Sequence, residues 1–174
     1  MALITEELRQ RAALAPGDED WLHLLVGDWQ LVSDLAFADL VLWFPTGDGS
    51  YTALAHVRPS TSHTAFHSDF VGERIRKDLR IMVDHAWETK EVQRSAEQAG
   101  KDIIMGLTTV QAIPLVRQNR PVAVITSHFD PNQSRTPSNL ELVYRQSADD
   151  LLQMGTQGLW PDFASPTGSR RGAP

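Results

Sequence analysis

The chain of 174 residues contains no cysteine. That one absence excludes disulfides, thiolate metal sites, cysteine nucleophiles and cofactors attached through a thioether. Long apolar runs are missing too, since no stretch approaches the ~18 residues that a membrane-spanning helix needs. The opening, MALITEELRQRAALAP, is charged throughout and holds nothing resembling the apolar core of a signal peptide. A cytoplasmic protein with no membrane partner is the expectation. Basic charge is also scarce: 16 Lys and Arg stand against 22 Asp and Glu, for a formal net charge of -6. Neutralising a phosphate backbone takes a surplus of basic side chains, so no direct nucleic-acid partner is expected.

What is present reads as a folded domain. Hydrophobic residues make up 41% and charged residues 22%, a globular balance. The length suits a single domain with a well-buried core. Residues 1–17 form a lead-in ending at Pro16 and Gly17, and Asp18 is a candidate N-cap. Trp21, Leu22, Leu25, Trp29 and Val32 then recur at three- and four-residue steps, which predicts an amphipathic helix to about Leu35. Two β-rich runs, 40–44 and 51–57, flank a Gly/Asp cluster and read as a hairpin that Pro59 ends.

Residues 73–86 suit a helix through Ile75, Leu79, Met82 and Val83, while 87–101 stay ambiguous. Strands are expected over 103–115 and 121–127 around a turn at Gln118-Asn119-Arg120, with Val122 to Ile125 in the sheet centre. Ser138 and Glu141 form a capping box for a last helix. Its stripe of Leu140, Tyr144, Ser147, Leu151 and Met154 fits either packing on the domain's own sheet or the start of a coiled-coil seam. Residues 161–174 have the composition of a linker or disordered tail. The outline is an α+β domain over 18–160, a central antiparallel sheet flanked by N- and C-terminal helices.

No phosphate-binding glycine loop, nucleophile elbow or metalloprotease helix is present, so no catalytic residue is assigned. The densest polar cluster lies between Arg58 and Asp69. Arg58 offers a bidentate fork for a phosphate or carboxylate, Thr61 and Thr64 offer hydroxyls, and Asp69 accepts from a donor such as an amine or guanine edge. With His67 these make a candidate ligand wall. In the architectural reading the same groups cap turns and satisfy one another. His63 and His67 would chelate a metal on a helix, but Ser, Thr and Pro favour a turn here, and no metal is assigned. Arg74, Arg76, Lys77 and Arg80 form a basic patch, either a solvated helix face or an anion site. Trp21, Trp29 and Trp43 belong to the core; Trp87 and Trp160 could cover a pocket or an interface.

Three stretches carry a family resemblance: GDWQLVSDLAFADL from Gly27 to Leu40, VRPST from Val57 to Thr61 with Thr64, His67, Asp69, Val71 and Gly72, and IPLV with PVAVIT between Ile113 and Thr126. Together with Leu140 to Tyr144 and Asp149 to Met154, they resemble the N-terminal domain of PdtaS-type sensor histidine kinases. The matches span about residues 18–162, and 73–101 departs most from the pattern. The resemblance implies a GAF-like sensor domain preceding a PAS domain and a kinase core. It further implies a homodimer that passes phosphate to a response regulator of the RNA-binding ANTAR type. It leaves the ligand and any cofactor unnamed.

Overall fold

The computed structural model describes residues 14–60, 71–95, 109–129 and 138–161. Helix α1 (Asp18–Ala36) buries Trp21, Leu22, Leu25, Trp29 and Val32 along the single face that their spacing defines. Its start departs from expectation. Gly17 holds the cap position with φ 88°, and no side chain caps the helix. Asp18 is the first helical residue instead, buried and bonded to Arg117 (2.8 Å) and Arg120. Two guanidinium donors from a distant hairpin outcompete the neutral N–H groups of the helix's own first turn, because charge-assisted bonds are the stronger. Burial opposes ionisation of this carboxyl, but the bonds from Arg120 and Arg117 outweigh it and hold the group below its ordinary value.

Strands β1 (Asp39–Pro45) and β2 (Tyr51–Val57) form the expected hairpin. The chain then returns along the outer edge of β2. Ala53 N–H donates to the Glu73 carbonyl (2.9 Å) and Ile75 N–H to that of Tyr51 (2.9 Å), covering what would be an open strand edge. This is why helix α2 (Lys77–Thr89) begins later than the 73–86 reading: the backbone before it is committed to β2. Only Lys77 and Arg80 of the basic patch lie on the helix. Arg74 pairs with Asp48 and Arg76 with Asp78, each at 3.1 Å on the surface, so the patch is a solvated one.

A short strand β3 (Gln93–Arg94) emerges from the ambiguous stretch and pairs with β4 (Thr109–Arg117). The earlier start expected for β4, at residue 103, lies outside the described residues. β5 (Arg120–Phe129) closes the second hairpin through Gln118 and Asn119, both at positive φ (54° and 59°) as a two-residue type I′ turn requires. The sheet runs β2-β1-β5-β4-β3, antiparallel throughout, with the run from Val122 to Ile125 in its central strand as expected.

Helix α3 (Asn139–Gly155) starts at the expected cap, Ser138 Oγ accepting the Glu141 N–H at 3.2 Å, which is the serine's half of a capping box. The face it buries is Ala148, Leu152 and Gly155 rather than the stripe from Leu140 to Met154. Small residues win here because they let the helix backbone approach the sheet. A Cβ on Gly155 would lie 3.1 Å from Leu115 Cδ2. The segment after α3 lies against the β4–β5 hairpin: Gly158, at φ 72°, sits so close to the Val116 carbonyl that a Cβ would stand 2.9 Å from it. Trp21 Nε1 donates to the Pro161 carbonyl at 2.7 Å.

The described residues thus form three helices and five strands of an α+β fold. α1 and α3 cover one face of the sheet over Leu40, Leu42, Phe44, Ile113, Leu115 and Ile125. α2 covers the other, placing Leu79, Met82, Val83 and Ala86 on Val41, Trp43, Val110, Ala112 and Val124. Trp21, Trp29 and Trp43 are core as expected, and Trp160 joins the first cluster. Trp87 meets Tyr51 edge-on at 6.2 Å.

Candidate functional site

Successive side chains of a strand face opposite sides of its sheet. On the α2 side, β1 presents Asp39, Val41 and Trp43, and the register sets these against His128, Thr126 and Val124 of β5. His56 of β2 lies opposite Val41. Where β1 begins and β2 and β5 end, the apolar face therefore gives way to Asp39, His56, Thr126 and His128. Their side chains are sealed from solvent, 0% exposed for Asp39 and 1% for His56.

Hydrogen bonds link the cluster in two pairs. His56 Nε2 meets Asp39 Oδ2 at 2.9 Å, and since a carboxylate only accepts, that ring nitrogen carries the proton. Trp43 Nε1 donates to Thr126 Oγ1 at 2.7 Å, and the same hydroxyl lies 2.8 Å from His128 Nε2. The indole can only donate, which leaves the Thr126 hydroxyl its own hydrogen and a second lone pair, so a neutral His128 ring meets it as acceptor or donor according to its tautomer. Burial keeps it neutral: the pKa falls from 6.5 to about 3. The nearby Asp39 charge opposes the shift, while His56 and Arg76 add to it.

This geometry suits holding rather than turnover. Thr126 and His128 stand at the distance of a nucleophile and its base, but both are buried and the ring lacks the basicity for general-base work. Among the described residues, no three His, Asp or Glu side chains converge to cage a metal.

Of the sequence-predicted ligand wall, Arg58 is described. It follows His56 by two residues, its side chain exposed. Its backbone is fastened to α1: Gln30 Nε2 donates to the Arg58 carbonyl (2.9 Å), and Asp34 Oδ1 accepts from Ser60 N–H (2.7 Å) and Ser60 Oγ (2.9 Å). Thr61, Thr64, His67 and Asp69, and His63 with them, lie outside the described residues. The described chain leaves β2 through Arg58 to Ser60, beside the buried cluster. Sequence reading missed Asp39, His56, Thr126 and His128. The available signal was polar residues at core-facing positions in otherwise apolar strands, and it becomes legible only once the register joins them.

A family model described as the GAF domain of the histidine kinase PdtaS matches residues 4–148. The sensor histidine kinase PdtaS of Mycolicibacterium smegmatis is 34% identical over 172 residues, and that of Mycobacterium tuberculosis 31% over 179. Each match covers 98% of this chain and 34% of the relative, so the chain spans about a third of the length of these relatives. Among solved structures, the sensor region of a sensor histidine kinase superposes with a TM-score of 0.75 at 31% identity, over 93% of this chain and 56% of that one. A GAF domain/HD domain protein from Geobacter sulfurreducens superposes at 0.51 with 10% identity, over 82% and 94%. At that identity the likeness is one of fold alone.

Proposed function

Since the chain belongs to the GAF domains of PdtaS-type histidine kinases, we propose that it is the non-catalytic sensory domain of a cytoplasmic two-component kinase and controls that kinase's autophosphorylation through a small ligand. The observation that carries this reading is the placement of the buried Asp39–His56–Thr126–His128 cluster. It lies at the end of the sheet where Arg58, the one described residue of the predicted wall, follows β2. The ligand sits against Arg58, Thr61, Thr64, His67 and Asp69, over a floor that the cluster keeps rigid. Arg58 supplies the charge for an anionic group. Asp34 and Gln30 tie the start of this wall to α1, so ordering the wall biases the position of a helix. A ligand shifts such an equilibrium only by binding its two states with different affinity.

The domain spans 18–160, with 161–174 linking to a PAS domain and a kinase core. The parent protein is a homodimer that hands phosphate to an ANTAR-type response regulator. A thermal-shift screen of the chain against cyclic dinucleotides, mononucleotides, divalent metals and haem tests the sensing step. A ligand selective for the folded state raises the melting temperature with concentration. Arg58→Ala should weaken an anionic ligand at least tenfold, and the same ligand should change autophosphorylation of the whole kinase. Unchanged affinity in Arg58→Ala refutes the wall as placed here.

The alternative is a ligand-free dimerisation module. It is favoured by one observation: the cluster's described bonds are internal, whereas the Leu140–Met154 stripe of α3 faces outward. No melting shift with any compound at saturation would favour it.

A further inference from the structure

We propose that the tip of the β4–β5 hairpin is a latch that couples the chain's entry into the domain to its exit, so that a shift of α1 along the sheet is passed to residues 156–161. Among the described residues, five glycines stand at positive φ. Gly47, Gly49 and Gly72 face open space, but Gly17 and Gly158 do not. A Cβ on Gly17 would stand 2.7 Å from Arg117 Nη2, and one on Gly158 would stand 2.9 Å from the Val116 carbonyl oxygen. Entry and exit thus press on adjacent residues of one strand, each through a glycine that lets the backbone come that close. Polar bonds fasten the same joint. Arg117 Nη1 donates to the Pro16 carbonyl (3.1 Å) and to Asp18 (2.8 Å), Arg120 donates to Asp18, and Trp21 Nε1 reaches the Pro161 carbonyl. Lys90, which ends α2, adds a bond from Nζ to the Asn119 carbonyl at 2.8 Å.

Two rods run from this joint to the candidate site. α1 carries Asp18 at the joint and Asp34, tied to Ser60, roughly 24 Å along its axis at about 1.5 Å per residue. β5 carries Arg120 at the joint and His128, of the buried cluster, roughly 26 Å away at about 3.3 Å per residue. The near ends of both rods are therefore joined by the Arg120–Asp18 bond. Sliding of α1 against the sheet must be taken up there. Asp18 makes the response all-or-none. Its side chain is sealed from solvent, and losing one guanidinium would leave a charge buried and half-paired, which costs more than drawing it out into water. Release frees Arg117, on which the entry rests, and with it the strand against which Gly158 leans. Under the sensory reading above this is the output step, while the coupling itself stands on its own contacts.

Hydrogen exchange of the 174-residue chain tests the coupling by disturbing one side and reading the other. The exit is read at the Gln157 and Leu159 amides, both bonded to the Met154 carbonyl. The entry is read at the amides of Asp18 and Trp21, bonded to the carbonyls of Ala15 and Gly17. Ala53 and Ile75, at the edge of β2, report general loss of stability. The Arg120 side chain bonds Asp18 and, among the described residues, no part of the exit. Arg120→Gln should nonetheless speed exchange at the exit about tenfold more than at the β2 edge. Gly158→Ala should do the same at the entry, since coupling between two sites is reciprocal. If Gly158→Ala does not fold, Thr156→Val takes its place, removing the hydroxyl that donates to the Gln153 carbonyl at 2.7 Å. Variants that each act only on their own side overturn the proposal, as does a uniform rise across all three sets of amides. Unchanged exchange at every reporter overturns it too. The melting screen reads sensing separately: a ligand that shifts the melting of Arg120→Gln as it shifts that of the unmodified chain leaves sensing standing whatever the exchange gives.

Discussion

Against α1 and α3 the sheet presents Leu40, Leu42, Phe44, Ile113, Leu115 and Ile125; against α2 it presents Val41, Trp43 and Val124, then turns polar at Asp39, Thr126 and His128. The first side is held mainly by filled volume, which is indifferent to pH, with the buried Asp18 carboxylate at its edge responding only in acid. The second adds groups whose worth depends on a hydrogen-bond order and on where a proton resides. Both sides pack an apolar core, but the paired histidines His56 and His128 lie on the α2 side alone.

The largest test of that contrast is Trp29→Ala, which opens a cavity on the α1 side and should cost about 4 kcal/mol in urea unfolding. The loss should be the same at pH 5.5 and pH 7.5. Next comes Asp18→Asn, which leaves Arg117 and Arg120 facing a neutral amide and should cost about 3 kcal/mol. Because the folded pKa of Asp18 is depressed, its contribution is complete above its unfolded value and is lost only in acid as pH falls through the lower folded value. His128 acts in a different window. Its folded pKa, about 3, lies below the ordinary 6.5, so below pH 6.5 the unfolded chain binds a proton that the folded chain refuses. Stability should be flat in this term above pH 6.5 and fall below it by up to about 1.4 kcal/mol per pH unit. His128→Gln should flatten that slope; a slope unaltered in the variant places the titration elsewhere. The smallest effect is Trp43→Phe, which removes one donor to Thr126 and should cost about 1 kcal/mol, measured by the same unfolding curves.

How far the sequence revealed this molecule depended on whether the cause was local. The spacing of Trp21 to Val32 located α1, and Ser138 with Glu141 located the start of α3, because a helical period and a cap need no knowledge of neighbours. The start of α2 was displaced because the backbone of Glu73 and Ile75 bonds to β2, a partner some twenty residues back. Asp18 looked like a cap until a hairpin a hundred residues later supplied two guanidiniums. Of the candidate site, Arg58 could be picked out from its own loop. The Asp39–His56 and Thr126–His128 pairs could not, since register alone brings them together. The stripe on α3 was visible as a pattern, but which side of the helix would face the sheet was decided by Ala148 and Gly155.

The hairpin at Gln118 and Asn119 has a topological consequence. Arg117 grips the Pro16 carbonyl and Asp18, Gly158 rests on Val116, and Pro161 receives the Trp21 indole, so residues 16 and 161 come together at one corner of the fold. The chain between them is close to a closed loop. A short bridge could join the two positions and the ring could be reopened elsewhere, as a circular permutant, at the exposed turn of Gly47 to Gly49.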